Sequence, residues 1–357
     1  MKPMLFQNLK IRELEIANRV WVSPMCQYSA TNGFIGEWHR IHLGSFAAGG
    51  AGLIFVEATG VVPEGRISIG CPGIWSIEQA GAFTPIIDFA HSMGAAIGIQ
   101  LAHAGRKAST MLPWDDHLLA EVTEGGWQSV SASPIPHQGM QTPHALTVVE
   151  IADLTEKFAA AALRAVQVGF DVIEIHAAHG YLFHQFLSPF SNMRVDEYGG
   201  DFEGRTRFLI QVAQRVREVI PEGVPLFVRI SATDWTDGGW NIDESILLSR
   251  ALKQVGVDLI DVSSGGLVHN AVVPVGPGYQ VPLAAAIRTE ADILTSAVGL
   301  ITEAHQAEEI VASGSADAVM LAREMLRNPH WPLNAAEELG IKGAWPLPYS
   351  RASKVPK

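Results

Sequence analysis

The chain is poor in the residues that characterise several large classes of protein. It contains only two cysteines, Cys26 and Cys71, among 357 residues. An iron–sulfur module needs about four thiolates, so that class is excluded, and two reduced thiols are typical of a cytosolic protein. Acidic residues outnumber basic ones by 37 to 25, which gives a formal net charge of −12. Because nucleic acids and anionic membranes bind basic clusters, neither is expected as a partner.

Long apolar runs are also missing. The longest apolar stretches are much shorter than the roughly 20 residues of a membrane-spanning helix. The first residues, Met1–Leu9, lack the apolar core of a signal peptide, so we expect a cytoplasmic protein. No strand is followed by G-x-G-x-x-G, and G-x-x-x-x-G-K-[ST] is absent. A dinucleotide-binding domain and a P-loop are therefore not predicted.

What the chain does have is a regular alternation of strand-like and helix-like segments. The apolar runs of strand length are 19–22, 52–57, 95–101, 171–175, 225–230, 258–262, 293–297 and 318–322. The segments with helical period are 38–48, 78–93, 150–168, 203–219, 243–255, 282–290, 302–313 and 331–339. Such alternation predicts parallel strands with right-handed crossovers. At this length we expect a single α/β domain over residues 1–357, closed into a (β/α)8 TIM barrel; an open doubly wound sheet is the alternative.

Three segments lie outside the alternation. Residues 1–18 precede the first strand and are expected to form a short lid on the amino end of the barrel. Residues 105–146 form a long excursion after the third strand, and they are rich in Pro, Trp and His. Long loops in compact domains are usually functional, so we expect this one to overhang the active face. The polar tail, residues 341–357, is expected to extend away from the domain.

Residues of chemical interest follow the predicted strands, where barrel enzymes carry their active sites. The fourth strand ends in His176, followed closely by His179 and Tyr181. The other candidates at strand ends are Ser23, Pro24, Met25, Cys26, Tyr28, Gly60, Gln100, Lys107, Arg229, Gly299, Ala322 and Arg323. The set is rich in hydrogen-bond donors and poor in carboxylates. It favours a ligand with carbonyl oxygens and a phosphate over a divalent metal or a glycosidic bond.

The two histidines have three interpretations. We favour hydrogen bonds from both imidazoles to a carbonyl oxygen of a ligand. The second interpretation is a pair of core histidines bonded to the backbone. The third is a zinc pair, with Glu174 as the nearest carboxylate, which leads to a metal-dependent barrel hydrolase or lyase. Zinc catalysis usually needs a third protein ligand, and no further His/Asp cluster supplies one.

Charge and phosphate sites are also open to two interpretations. Arg229 lies inside a strand, and a buried charge must be paired. Its partner is either a carboxylate, Glu57 or Glu174, or an anionic cofactor. Gly299, which precedes a helix, and Arg323 are suited to hold a phosphate with backbone N–H groups and a cation. The alternative is that the glycine only turns the chain.

The remaining candidates are Cys26, Tyr28 and Lys107. A free cysteine is usually a small buried apolar group, but Cys26 follows a strand end, which favours a site role. Tyr28, two residues later, is either a packing aromatic or a hydroxyl that faces the substrate. Lys107 does not lie inside a strand, so a Schiff-base aldolase would lack its lysine.

Several motifs together resemble the Old Yellow Enzyme family of flavin-dependent ene-reductases, in particular its bacterial thermophilic-like branch of NADPH dehydrogenases and xenobiotic reductases. The motifs are Ser-Pro-Met-Cys-Gln-Tyr (23–28), Gly-Ile-Gln-Leu-Ala-His-Ala-Gly-Arg-Lys (98–107), Ile-His-Ala-Ala-His-Gly-Tyr-Leu (175–182), Phe-Leu-Ser-Pro-Phe-Ser-Asn (186–192), Asp-Glu-Tyr-Gly-Gly (196–200), Arg-Thr-Arg-Phe (205–208) and Leu-Ala-Arg-Glu-Met-Leu-Arg-Asn-Pro (321–329). The resemblance covers nearly the whole chain. It implies an FMN-binding TIM barrel that reduces the C=C bond of α,β-unsaturated carbonyl and related electrophilic compounds with NADPH, or with NADH.

The resemblance also implies a role for each matching residue. On the FMN side, Ser23, Pro24, Met25 and Cys26 line the ring, Gly60, Gln100 and Arg229 contact its polar edge, and Gly299, Ala322 and Arg323 hold the phosphate. On the substrate side, His176 and His179 bind the carbonyl oxygen, Tyr28 and Lys107 line the pocket, and Tyr181 is the proton donor. Arg351 in the tail is expected to reach the site of a neighbouring subunit in a homodimer or tetramer. Gly60 and Ala322 depart from the family's commoner residues, but both still allow the backbone to approach the flavin.

Overall fold

The computed structural model describes residues 2–354, so Met1 in the predicted lid and residues 355–357 in the predicted tail lie outside the described residues. The strands are β1 (Leu9–Ile11), β2 (Leu14–Ile16), β3 (Val20–Val22), β4 (Leu53–Gly60), β5 (Ala96–Ala102), β6 (Val130–Ser131), β7 (His144–Ala145), β8 (Val172–Ala177), β9 (Leu226–Ser231), β10 (Leu259–Ser263), β11 (Leu294–Ala297) and β12 (Ala318–Leu321). The α-helices are α1 (Glu37–Ala48), α2 (Ile77–Ala82), α3 (Thr84–Ser92), α4 (Val148–Gln167), α5 (Leu182–Leu187), α6 (Phe202–Val219), α7 (Ile242–Gln254), α8 (Val281–Ala291), α9 (Ala304–Ala312), α10 (Arg323–Arg327) and α11 (Trp331–Glu338).

Eight of these strands close into one barrel. Its order is β3-β4-β5-β8-β9-β10-β11-β12, and β12 pairs with β3 to complete the ring. All neighbouring strands in the barrel are parallel. Each barrel strand overlaps one of the predicted apolar runs. The prediction of a (β/α)8 barrel is confirmed. Consecutive strands are adjacent throughout the ring, so the doubly wound alternative is wrong.

The predicted helices are present, with one difference in the segment 78–93. That segment forms two helices, α2 and α3, which meet at Phe83. Pro85 lies in the first turn of α3, where its missing N–H removes no intrahelical hydrogen bond. Two short helices, α5 and α10, follow β8 and β12 directly and were not predicted. Each helix has only five or six residues, and a segment of that length is too short to show a helical period in the sequence.

The amino end of the barrel is closed by apolar packing from the N-terminal residues. β1 and β2 form an antiparallel hairpin, and Ile11 and Ile16 are buried in it. They share an apolar cluster with Trp21, Phe55 and Phe227, which come from strands of the barrel. The hairpin therefore forms a lid over one end, and a ligand can approach the interior only from the carboxyl ends of the strands.

The excursion after β5 lies over the carboxyl ends. Two short segments within it, β6 and β7, pair with each other, and Ser131 donates a hydrogen bond to Gln185 of α5 at 2.9 Å. Excursion residues line a cavity of about 530 Å³ together with Tyr28 and Tyr181. Between residues 2 and 354 no helix combines the length and the apolar character that crossing a membrane requires.

Candidate active site

Two cavities open at the carboxyl ends of the barrel strands. The first, about 330 Å³, is lined by the buried Arg229 and by the exposed Arg323. Its other lining residues include Ser263, Gln280, Gly299, Leu300, Met320 and Ala322. The second, about 530 Å³, is lined by Tyr28, Lys107 and Tyr181, and by His137 and His269. Two arginines in its lining make the first cavity suitable for an anionic ligand.

His176 is a neutral hydrogen-bond donor. Its side chain is buried, and its Nδ1 accepts a hydrogen bond from the backbone N–H of Ala178 at 3.3 Å. A neutral imidazole that accepts at Nδ1 carries its proton on Nε2. Burial lowers the pKa of His176 well below its usual value, and the charges of Arg229 and Lys107 lower it further. At neutral pH the Nε2–H group of His176 can therefore donate to a ligand oxygen.

His179 is held by two serines. It has a left-handed backbone with φ of 58°, and its N–H donates to Ser231 at 2.9 Å. Its Nε2 lies 2.7 Å from the hydroxyl of Ser263. The direction of this bond depends on the tautomer of the imidazole: when the hydroxyl donates to Nε2, the ring proton is on Nδ1, and that atom can donate to a ligand. The pKa of His179 is also lowered well below its usual value, first by burial and then by Arg229. The rings of His176 and His179 lie 5.2 Å apart, centroid to centroid.

Tyr181 stands against the two imidazoles as a protonated phenol. Its ring centroid is 4.9 Å from that of His176. Burial raises the pKa of Tyr181 well above its usual value, and the nearby Cys26 and Tyr28 raise it further. The hydroxyl therefore keeps its proton at neutral pH. The arrangement combines two neutral donors for an oxygen with one proton source beside them.

Lys107 places a cation next to this group. Its Nζ donates to the carbonyl oxygen of His179 at 2.8 Å and to that of Gly266 at 3.1 Å. It also lies 5.1 Å from the centroid of the Tyr181 ring, within cation–π distance. Burial lowers the pKa of Lys107 to about 8, and the neighbouring Arg106 contributes in the same direction. The lysine is therefore a charged donor below that pH and a neutral amine above it.

The loop that carries these groups is fixed from below by α5. His184 accepts a hydrogen bond from the N–H of Gly180 at Nδ1, 3.0 Å, and its Nε2 lies 2.9 Å from the buried carboxylate of Asp234. Gln185 donates to the carbonyl oxygens of Gly180 and Ala104, and so joins the loops after β8 and β5. The residues 184–185 thus orient the loop without contacting the cavity.

Arg229 is paired, but not with the predicted carboxylates. Its Nε lies 3.0 Å from Asp261 of β10, and its Nη1 donates to the hydroxyl of Ser23 at 3.0 Å. The expectation of an ion pair with Glu57 or Glu174 is therefore wrong. β9 and β10 are parallel neighbours with Arg229 opposite Asp261, so the register brings these two side chains together.

Glu57 and Glu174 have other partners. Glu57 lies 3.2 Å from Nε2 of His39 and accepts the backbone N–H of Gln27 at 2.9 Å. Glu174 accepts from the side-chain amide of Gln100 at 2.8 Å, and burial raises its pKa well above the usual value. Gln100 and Glu174 are opposite each other on β5 and β8. This bond fixes the Gln100 amide inside the barrel, at a strand end.

Near the carboxyl ends of β3 and β4, one residue that was not predicted packs beside the predicted ones. Ala58, which was not predicted, packs with Cys26, Cys71 and Tyr28 in one cluster. Gly60 donates its backbone N–H to the carbonyl oxygen of Pro72 and accepts the N–H of Ile74, so its backbone groups bond within the protein. The register of β4 shifts between Val56 and Ala58, and such an irregularity cannot be read from simple alternation.

Arg351 is the candidate that the structure does not bring to this group. It lies exposed in a 3-10 helix, Leu347–Ala352, within the tail. Trp345 of the tail donates to Glu337 of α11 at 2.8 Å. The ring of Tyr349 lies 5.8 Å from that of His330, which precedes α11. The tail packs on an outer helix of its own chain, so Arg351 has no role in the site of the same subunit.

Two contacts within the site were not predicted from the sequence. Ser263, at the end of β10, contacts His179, and Asp261 pairs with Arg229. Asp261 lies in a predicted strand and Ser263 directly after it. A serine or an aspartate at a strand end does not by itself indicate which side chain it contacts. Among residues 2–354, the group of three potential metal ligands that comes together is Cys26, Glu57 and Cys71, and it contains neither His176 nor His179.

Comparison with known proteins agrees with this geometry. Residues 4–341 match the family described as NADH:flavin oxidoreductase / NADH oxidase. The chain belongs to this family. An NADPH dehydrogenase of Geobacillus sp. (strain WCH70) is 48% identical over 353 residues, which cover 98% of this chain and 99% of that protein.

Two solved structures of about the same length show the same fold. Morphinone reductase in complex with tetrahydroNAD has a TM-score of 0.77 and 27% identity, over 97% of this chain and 93% of that one. An Old Yellow Enzyme homologue from Zymomonas mobilis has a TM-score of 0.77 and 28% identity, over 96% and 94% of the two chains. The resemblance to the Old Yellow Enzyme family is confirmed, and the chain is an FMN-dependent oxidoreductase.

Proposed function

We propose that this enzyme uses NADPH to reduce the C=C bond of α,β-unsaturated carbonyl compounds and of related electrophiles such as maleimides and nitro compounds. The observation that carries the proposal is the arrangement of His176, His179 and Tyr181. Two neutral imidazoles and a protonated phenol lie together. His176 is opposite Arg229 on the neighbouring strand, and Arg229 lines one cavity together with Ser263, which contacts His179. A metal-dependent hydrolase is not favoured, because the described residues provide no third ligand near the histidines.

The donor set fits FMN. Arg229 and Gln100 present a guanidinium and an amide inside the barrel, which suit the polar edge of a flavin. Gly299, Ala322 and Arg323 line the same cavity as Arg229 and would hold the phosphate. Ser23, Pro24, Met25 and Cys26 would line the ring, Gly60 would contact its polar edge, and Ala58 packs in one cluster with Cys26. When bound, FMN accepts hydride from NADPH and delivers it to the β-carbon of the substrate.

The substrate oxygen would be bound by the imidazoles. As hydride reaches the β-carbon, negative charge develops on the carbonyl oxygen, and preorganised donors stabilise such charge. The Nε2–H of His176 and the Nδ1–H of His179 would supply these donors. Because both side chains are neutral, they donate hydrogen bonds without transferring a proton. The loss of one such donor typically costs about 3–4 kcal/mol of transition-state stabilisation.

Tyr181 would then protonate the α-carbon. Its raised pKa keeps the proton available at neutral pH, and Lys107 above the ring stabilises the phenolate that remains. Tyr28 and Lys107 would line the substrate pocket. Relatives of this chain are named NADPH dehydrogenases, which supports NADPH as the reductant. The chain has no dinucleotide fingerprint, so NADPH and substrate are expected to occupy the same pocket in turn, with ping-pong kinetics.

A cytoplasmic homodimer or tetramer is part of the proposal. Arg351 is exposed at the surface of its own subunit, and Tyr349 beside it is half-exposed. A tail held on α11 can extend toward a neighbouring copy while Trp345 anchors its base. We therefore propose that Arg351 completes the pocket of another subunit.

The function can be tested by anaerobic titration of the purified holoenzyme. NADPH is expected to bleach its yellow colour, and cyclohexenone is expected to restore the colour with formation of cyclohexanone. Replacement His176→Ala should leave the bleaching step intact, slow the cyclohexenone step by about 100-fold, and weaken the long-wavelength band formed with a phenol. A colourless protein with a stoichiometric metal ion would contradict the flavin function. Equal rates of enone reduction in both proteins would contradict the role of His176.

A further inference from the structure

The two cysteines of the chain lie beside each other, although they belong to different loops. Cys26 follows β3, and Cys71 lies after β4. The Sγ atoms of Cys26 and Cys71 and a carboxylate oxygen of Glu57 are all within 4.8 Å of one another. Both thiols are free. The substrate chemistry proposed above uses Cys26 alone, so the position of Cys71 is unexplained by that function.

The backbone keeps the two loops in contact. The N–H of Ala30 donates to the carbonyl oxygen of Gly70 at 2.9 Å. A Cβ atom added at Gly70 would lie only 2.7 Å from the carbonyl oxygen of Tyr28, so the loops approach too closely for any larger residue there. The sulfur atoms are therefore held near each other by the fold. Bond formation requires them to approach to about 2.0 Å.

The two thiols differ in exposure and in acidity. Cys71 is fully buried, while Cys26 is partly exposed. The pKa of Cys71 is lowered by a hydrogen bond from Cys26, and the hydroxyl of Ser68 lies 3.4 Å from its sulfur. The same hydrogen bond raises the pKa of Cys26, as does burial. Peroxide can therefore reach Cys26 first, and the thiolate character of Cys71 favours its attack on an oxidised Cys26.

We propose that Cys26 and Cys71 form a reversible intramolecular disulfide when the enzyme meets hydrogen peroxide. The Cys26 sulfur attacks the O–O bond, takes one oxygen as a sulfenic acid, and releases the first water. The Cys71 sulfur then displaces that oxygen, which leaves as a second water with the proton of Cys71. Each sulfur gives up one electron, and peroxide is reduced to two molecules of water. A dithiol reverses the reaction by thiol–disulfide exchange.

The disulfide would change the flavin environment, and this consequence rests on the proposed position of Cys26 at the FMN ring. In the oxidised form Cys26 has no S–H group, and its sulfur is drawn toward Cys71. Enone reduction should therefore fall after peroxide treatment and return after treatment with a dithiol. The bond itself depends only on the two cysteines, so its formation is independent of the catalytic proposal.

The test is mass spectrometry of the intact holoenzyme with a count of its thiols. Peroxide at low molar excess should remove both titratable thiols and two hydrogen atoms of mass, and a non-reducing digest should contain a peptide pair joined through Cys26 and Cys71. Dithiothreitol should restore both thiols. Cys71→Ser is the control, because Cys26 then has no partner and should gain oxygen instead. The FMN absorbance, recorded in parallel, reports separately on the proposed function.

Four results would overturn the proposal. In the first, both thiols remain titratable after peroxide treatment. In the second, Cys26 of the unsubstituted enzyme gains oxygen but no bridge forms. In the third, the disulfide joins separate chains, and in the fourth, a stoichiometric metal ion is bound to the thiols before treatment. An enzyme that forms the bridge but lacks FMN, or lacks enone activity in its reduced form, would contradict the proposed function and leave the disulfide in place.

Discussion

The hydroxyl of Ser263 lies 2.7 Å from Nε2 of His179, and the two residues come from the ends of different barrel strands. Gln280 lies behind the serine, 3.4 Å from its hydroxyl, and is itself tied to the carbonyl oxygen of Val298. The contact with the serine thus favours one tautomer of His179 over the other.

We expect Ser263→Ala to weaken the His179 donor. Without the hydroxyl, the imidazole can carry its proton on either nitrogen, and one half of the carbonyl anchor is no longer oriented. The loss of one such hydrogen bond corresponds to about 1–1.5 kcal/mol, or about a tenfold fall in kcat/KM for an enone. Ser264→Ala is the matched control, because Ser264 donates to Gln280 at 2.6 Å and does not contact His179. Equal effects of the two substitutions would contradict the role of Ser263.

Tyr181→Phe should separate the two half-reactions. The substitution removes the proton donor but keeps the ring that packs on His176. Reduction of cyclohexenone should slow by about 100-fold or more, while oxidation of NADPH by oxygen or a quinone should be unchanged. Stopped-flow measurement of each half-reaction provides the comparison. Tyr198→Phe serves as the control, since Tyr198 bonds to Gln211 away from the strand ends. If both half-reactions slow equally, Tyr181 is not the acid.

The pH dependence of enone reduction should report on Lys107. Burial lowers the pKa of this lysine to about 8, so the protonated fraction falls as the pH rises through that value. We expect kcat/KM to decrease above about pH 8, because the positive charge that stabilises the phenolate of Tyr181 is lost. Lys107→Arg keeps a cation at all working pH values, since the guanidinium pKa is above about 12. Its profile should lack this alkaline decrease, and an unchanged decrease would assign it to another group.

Gly266→Ala should disturb the His179 loop. Gly266 has φ of 90°, and a Cβ atom there would lie 2.7 Å from the Cα of His179. We expect a loss of more than about 1 kcal/mol in the free energy of unfolding, together with weaker binding of a phenol. Gly94→Ala is the matched control, because Gly94 has φ of 77° but no atom within 4 Å of the added Cβ. If urea titration gives the same loss in the free energy of unfolding for both variants, the loss comes from the backbone conformation alone and not from close packing against His179.

Much of the architecture could be predicted from the sequence because barrel strands are buried on both faces. Segments such as 171–175 and 258–262 are mostly apolar, and each overlaps a strand of the barrel. The positions of His176, His179 and Tyr181 followed from the same reasoning, since a strand end in a parallel barrel is an active-site position. Local pattern and a general rule of the fold were sufficient for these residues.

Pairing between strands was beyond prediction. Asp261 partners Arg229 because the register of β9 and β10 places them opposite each other, whereas Glu174 is one strand further back along the chain and bonds to Gln100. Ala58 enters the site because β4 changes its register next to it. Each of these contacts depends on the register between neighbouring strands. A change of one residue in that register turns a side chain to the opposite face of its strand.

The sequence by itself determined the number of barrel strands, their order around the barrel, and the strand ends that carry the candidate site residues. These features follow from hydrophobic periodicity and chain direction, which are local properties. Only the tertiary structure decided which imidazole nitrogen donates, which carboxylate pairs with Arg229, and that Cys26 and Cys71 lie side by side. Those outcomes depend on distances of a few ångströms between loops that are far apart in the chain. Closure of the barrel sets these distances.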